Sequence, residues 1–173
     1  MDRDILRQFY RRYSREIYLY LYSLCKSRET AEDLMQEVFL KALLSLPDQN
    51  ENLRAWLYKV ARNACFNELR NRKREVEMDP AAGADVYAAE AVEKNQDSLS
   101  DILILNEQKK MLYEAMLKLP DRQREILELF YFSEMSMKQI AEIMKLTPQN
   151  VRVLAYRAKK QLREYMEVKE YEL

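Results

Sequence analysis

The chain has 173 residues, with 29 Lys and Arg balanced by 29 Asp and Glu, a single glycine, four prolines and no histidine. The missing histidine excludes imidazole acid–base catalysis, imidazole metal sites and Ser-His-Asp triads, and the scarcity of glycine argues against a hairpin-rich β protein. No apolar run approaches the ~20 residues that span a bilayer, and the start MDRDILRQFYRRYSRE is charged where a signal peptide has an apolar core. A soluble, mostly helical, cytoplasmic protein is expected.

In chain order, the first informative segment is ETAEDLMQEVFLKALLSL. Thr30 followed three residues later by Asp33 reads as a capping-box-like helix start. At helical spacing, Ala31, Leu34, Met35, Val38, Phe39 and Ala42 form an apolar face. Asp33, Gln36, Glu37, Leu40 and Leu44 share the other side. Leucines among carboxylates on an outward face suit a partner that is basic around an apolar patch, unless another helix covers them.

The next helix, LRAWLYKVARNACFNELRNRKR, is expected to bury Trp56, Leu57, Val60, Ala61 and Ala64. Its opposite face then carries Tyr58, Lys59, Arg62, Asn63, Phe66, Arg70 and Lys73. Aromatic rings interleaved with cations and an amide suit opened nucleic acid, because bases stack on rings while cations neutralise phosphates.

The segment EVEMDPAAGADVYAAEAVEKNQDS holds the only glycine and few large apolar residues. It cannot bury enough surface to offset its ordering entropy and reads as a flexible linker. The expected architecture is all-α. A small helical domain over 1–74 and a helix-turn-helix domain over 107–173 flank an acidic linker over 75–106. Charge follows the same division. Residues 1–74 carry 15 basic and 10 acidic side chains (+5), residues 75–108 carry 1 and 9 (−8), and residues 109–173 carry 13 and 10 (+3). Basic ends around an acidic middle point either to an anionic partner for the ends or to solvated helix faces beside a disordered acidic linker.

In the C-terminal part, DRQREILELFYF is expected to be an amphipathic helix entered through Pro120 and Asp121. A short helix, MKQIAEIMK, follows Ser136. After the turn Lys145-Leu146-Thr147 comes PQNVRVLAYRAKKQLREYM, with Thr147 as N-cap and Pro148 as the first helical residue. This is the pattern of a helix-turn-helix. The second helix turns Val151, Leu154, Ala155, Ala158 and Leu162 inward. It presents Gln149, Asn150, Arg152, Val153, Tyr156, Arg157 and Lys160 outward. That set suits a major groove: Arg pairs with guanine, Gln or Asn with adenine, and Val with a thymine methyl. Cys25 and Cys65 are isolated, with no CxxC, and read as buried thiols. With no phosphate-binding glycine loop, His/Cys cluster or nucleophile motif, neither an enzyme nor a cofactor is expected.

On these residues the chain resembles the bacterial extracytoplasmic-function (ECF) sigma factors of the sigma-70 family. AEDLMQEVFLKAL (31–43) is similar to their segment that docks the β′ clamp coiled coil of RNA polymerase. WLYKVARNACFNELR (56–70) is similar to the stretch that recognises and melts the minus-ten element. Residues 119–164 resemble their minus-thirty-five-binding domain. The resemblance implies core RNA polymerase (β′ clamp and β flap) and promoter DNA as partners, and admits an anti-sigma factor as a further one. Carried over by position, Asp33, Gln36, Glu37 and Leu40 fall in the docking segment. Tyr58, Lys59, Arg62, Asn63, Phe66 and Arg70 fall beside the minus-ten strand, and Gln149, Asn150, Arg152, Val153, Tyr156, Arg157 and Lys160 at the minus-thirty-five groove. The linker would thread the polymerase cleft toward the RNA exit path, its acidity imitating RNA charge. Glu134, Lys145 and Gln149 stand where many relatives have glycine, so Lys145 is expected in a left-handed conformation at a cost of about 1 kcal/mol. Val153 matches a small polar residue in many relatives. The alternative from a different class is a DNA-binding regulator that uses the same helix-turn-helix without polymerase.

Overall fold

The computed structural model describes residues 3–45, 52–78 and 107–171, the last range with side chains at 111, 112 and 114–167. Every regular element among the described residues is helical, as expected. The chain divides into two compact units, within Met1–Asn95 and within Gln96–Leu173.

The first unit is a three-helix bundle of α1 (Arg3–Cys25), α2 (Arg28–Leu44) and α3 (Leu53–Met78), each packed on the other two. α1 ends where Lys26 turns to positive φ (55°), its N–H still bonded to the Tyr22 carbonyl at 2.8 Å. That reversal lets Ser27 cap α2, its Oγ accepting from Thr30 N–H at 3.3 Å. The cap is therefore Ser27 and not Thr30. Thr30 is buried inside the first turn, where its hydroxyl meets Arg72 of α3 at 2.5 Å. Asn52 caps α3 by accepting from Ala55 N–H at 3.2 Å.

Ile17, Leu21, Leu34, Val38, Leu57, Ala61 and Cys65 form the centre of the bundle. Full burial of each larger aliphatic chain among them is worth about 1.5–3 kcal/mol. Phe39 anchors α2 on α1, with ring centroids 5.6 Å from Phe9 and 4.9 Å from Tyr10 in edge-to-face contacts. α3 continues to Met78, past Arg74, where the N-terminal domain was expected to end. Of the expected linker, residues 75–78 form the last turn of α3, and 79–106 lie outside the described residues.

The second unit contains α4 (Glu107–Leu117), α5 (Asp121–Leu127), a π-helical turn (Glu128–Phe132), α6 (Met137–Met144) and α7 (Pro148–Tyr171). α7 is the spine, with α4, α5 and α6 all packed on it. Met116, Leu119, Leu127 and Ala158 form one buried cluster, covered by Leu112, Leu162 and Tyr165. The run 121–132 is not one uniform α-helix. At Glu128 it widens, and Ser133 N–H reaches the Glu128 carbonyl at 3.1 Å. The wider turn keeps Leu129 inside while Tyr131 and Phe132 face outward. Glu134 then reverses the chain at φ 53° toward α6.

Candidate nucleic-acid interface

α6 and α7 are set by local hydrogen bonds that their sequences specify. Ser136 and Gln139 form a reciprocal capping box: Gln139 N–H donates to Ser136 Oγ (3.1 Å) and Ser136 N–H to Gln139 Oε1 (3.0 Å). Lys145 adopts φ 55°, ψ 44°, the left-handed conformation expected of it, and the following Leu146 N–H returns to the Ala141 carbonyl at 2.9 Å. Thr147 Oγ1 accepts from Asn150 N–H at 3.2 Å, which starts α7 at Pro148. Val151, Ala155 and Ala158 are buried and Leu154 and Leu162 half-buried, so the inward face matches the sequence reading.

The outward face is an uninterrupted stripe. Gln149, Asn150, Arg152, Val153, Tyr156, Arg157 and Lys160 are all exposed, Val153 at 44 % and Tyr156 at 70 %. None of Arg152, Arg157 or Lys160 makes an ion pair among the described residues. Lys159, one position to the side, is instead occupied, its Nζ 5.0 Å from the Phe130 ring and 5.5 Å from Tyr131. The stripe thus offers two guanidinium groups, an ammonium, two amides, a phenol and an apolar side chain to an outside partner.

On α3 the structure corrects the sequence reading. The buried arc is rotated toward Leu57, Tyr58, Ala61, Ala64 and Cys65, and away from Trp56 and Val60, which are half-buried. Tyr58, expected on the exposed nucleic-acid face, is 1 % exposed. Its ring packs 4.9 Å from Tyr20, and its hydroxyl donates to Glu16 Oε2 at 2.9 Å. A base cannot stack on it. Lys59, Arg62 and Asn63 are half-buried, whereas Phe66, Arg70 and Lys73 are exposed. Arg62 lies over the Phe66 ring at 4.4 Å, which joins a flat cation to the ring expected to receive a base. The half-buried Trp56 adjoins this face one turn before Lys59 and Val60, an aromatic ring that the periodicity had placed inside.

On α2, Asp33, Gln36, Glu37 and Leu40 are exposed, Leu40 at 55 %. Leu43 and Leu44 are exposed beside them, so none of the three described helices of this unit covers the leucines. Glu37 pairs with Lys41 at 2.9 Å, an open contact that water weakens to a few tenths of a kcal/mol. The sequence reading also passed over α1. Arg3, Arg7, Arg11 and Arg15 recur every fourth residue, are exposed, and have no ion pair among the described residues. Their i, i+4 spacing was the signal available.

A capped helix-turn-helix with a free basic stripe, in a chain that also carries a separate three-helix unit, matches two parts of one family. The profile of Sigma-70 region 2 matches residues 9–75, and that of Sigma-70, region 4 matches residues 109–162. The chain is therefore a sigma-70 family protein. The RNA polymerase sigma factor YlaC of Bacillus subtilis (strain 168) is 31 % identical over 173 residues, covering 95 % of this chain and 93 % of its own. The ECF RNA polymerase sigma factor SigM of the same organism is 29 % identical over 157 residues, covering 90 % and 91 %. Among solved structures, the sigma factor RpoE of Bartonella quintana, crystallised with the anti-sigma factor NepR, shares the fold. Its TM-score is 0.70 at 24 % identity, over 94 % of this chain and 96 % of that one. Within the sigma-70 family, the chain belongs to the ECF RNA polymerase sigma factors.

Proposed function

We propose that this sigma factor directs core RNA polymerase to promoters by dividing the work among three helix faces. The α7 stripe reads the minus-thirty-five element in the major groove. Arg152 and Arg157 serve as candidates for bidentate guanine contacts, Gln149 and Asn150 for adenine, and Lys160 for phosphate. The outer face of α3 holds the opened minus-ten strand, with Phe66 as the stacking ring, Arg62, Lys59 and Arg70 as phosphate partners, and Asn63 as the polar reader. The α2 face, Asp33, Gln36, Glu37 and Leu40, docks the β′ clamp, carboxylates toward its cations and leucines toward its apolar side chains. Residues 107–171 form the minus-thirty-five domain, which also meets the β flap. The acidic segment that follows α3 is the linker between the two DNA-reading domains.

The observation that carries this reading is the α7 stripe, exposed at every one of its seven positions and free of ion pairs among the described residues, behind a capped helix-turn-helix. An unpaired guanidinium on a rigid helix is available to a base without first losing a partner. Relatives with this fold supply one more partner. RpoE of Bartonella quintana was crystallised with the anti-sigma factor NepR, and the structure of CnrH (TM-score 0.61, 18 % identity) is that of a complex with the cytosolic domain of CnrY. An anti-sigma protein that covers part of these faces is a partner for this chain as well.

The test is in vitro transcription by purified core polymerase over a randomised promoter library, with and without the protein. Defined start sites that depend on the protein, with two enriched upstream elements, support the assignment. Sequence-specific binding by the protein alone, with no core-dependent initiation, assigns it instead as a regulator.

A further inference from the structure

Arg3, Arg7, Arg11 and Arg15 lie along one flank of α1, a helix whose basic side chains are all arginine and never lysine. All four are exposed, and none makes an ion pair among the described residues. Successive members are offset by a rise of about 6 Å and a rotation of about 40°, so the stripe runs about 18 Å along the helix. Arg12, also exposed, adds a guanidinium at its margin, 5.4 Å from the Tyr13 ring. Between Arg3 and Arg15 the sole acidic side chain is Asp4, in the first turn. The next one, Glu16, is already held by Arg54 and Tyr58. Like charges at i, i+4 repel, so the stripe weakens its own helix and is poorly suited to a face that meets only water. The helix beneath it is fixed by the bundle. Phe9 and Tyr10 pack edge-to-face on Phe39 of α2, and Ile17 and Leu21 are fully buried. The guanidinium groups are therefore presented from a rigid rod.

We propose that the α1 stripe binds the phosphate backbone of duplex DNA, without regard to sequence. A duplex carries one charge per ~1.7 Å of its axis, so 18 Å of helix faces about five phosphates on each strand. The planar guanidinium fork matches phosphate oxygens bidentately, which a lysine ammonium does not. Tyr10, the exposed ring of this stretch, is committed to Phe39 4.9 Å away. The stripe thus offers cations without a free stacking ring, the chemistry of tracking a backbone and not of holding unpaired bases. In this it differs from the outer face of α3, where Phe66 is exposed. Contacts of this kind add affinity and fix the position of the duplex, and they carry no sequence information. The site stands whether or not the roles assigned to α2, α3 and α7 hold.

The test measures binding of the full chain to a random-sequence duplex of about 30 base pairs by fluorescence anisotropy, from about 20 to 200 mM salt. Arg3→Gln, Arg7→Gln, Arg11→Gln and Arg15→Gln together should make the slope of log affinity against log salt shallower by about 3–4. Between 50 and 200 mM salt the variant then loses about a hundredfold less affinity than the wild type. Lysine at the same four positions should keep the wild-type slope, as should Arg28→Gln, which removes one charge away from the stripe. A four-glutamine slope within about one of the wild type overturns the proposal, as does a wild type that fails to bind at about 20 mM salt. An unchanged slope with weakened binding to core polymerase would give the face to a protein instead. Should the four-glutamine variant lose its helical circular dichroism, the half-variants decide. Arg3→Gln with Arg7→Gln, and Arg11→Gln with Arg15→Gln, should each remove about two from the slope.

Discussion

Arg54 of α3 grips Glu16 of α1 with two nitrogens, Nε at 3.0 Å from both carboxylate oxygens and one terminal nitrogen at 2.7 Å from Oε2, while the Tyr58 hydroxyl donates to that same Oε2 at 2.9 Å. Both charged side chains are less than one-third exposed, so water screens the pair only in part. The hydrogen bond to Glu16 is the main reason that the Arg54 guanidinium binds its proton more tightly than usual. Glu16→Ala removes one acceptor from two donors at once. It should lower stability by about 1–3 kcal/mol, read as a lower urea midpoint at constant m-value.

The inward position of Tyr58 separates two roles that the sequence could not. Tyr58→Phe deletes a half-shielded hydrogen bond and should lower stability by about 0.5–1.5 kcal/mol without changing promoter opening. Phe66→Ala, on an exposed ring, should leave stability within about 0.5 kcal/mol. It should weaken capture of the opened strand by about 1–3 kcal/mol, measured with a single-stranded minus-ten probe and holoenzyme. The opposite pattern would return Tyr58 to the DNA face.

Arg157→Ala should cost about 1–3 kcal/mol of discrimination at one minus-thirty-five base pair if the contact is bidentate. Competition between promoters that differ at single positions checks this. A uniform loss over all sequences, with a shallower salt dependence, would make Arg157 a phosphate contact instead.

Charge reversal at Asp33 and Glu37 should weaken binding to core polymerase at least tenfold, most clearly at low salt, while helical circular dichroism is unchanged. The side effect on α2 is small: with lysine at both positions, losing the open Glu37–Lys41 pair and creating two like-charge pairs four apart (33 with 37, and 37 with 41) costs about 0.2–0.5 kcal/mol each. Unaltered affinity would remove α2 as the docking surface.

Lys145 holds a left-handed conformation at the turn between α6 and α7. A side chain with a Cβ costs about 1–2 kcal/mol there. Lys145→Gly recovers that cost less the extra freedom glycine has when unfolded, a net gain of about 0.5–1 kcal/mol. A higher melting temperature for the variant checks it.

What the sequence determined by itself is whatever is decided within a few residues. The caps at Ser136 and Thr147, the turn at Lys145 and the membership of the α7 stripe all depend on neighbours no more than a few positions away, and helical spacing places such neighbours reliably. The same logic misplaced the cap of α2, because the hydroxyl oxygens of Ser27 and Thr30 are equally able to accept a cap hydrogen bond, and Thr30 Oγ1 accepts instead from Arg72 of another helix. It also misjudged α3. Periodicity tells which residues share a face but not where the buried arc is centred when a helix is lined by apolar and amphipathic chains almost all round. Glu16 and Tyr20 on α1 drew Tyr58 inward, and the same rotation buried Cys65. Burial and long-range pairing belong to the packed bundle, since only tertiary structure brings together side chains that the chain itself keeps far apart.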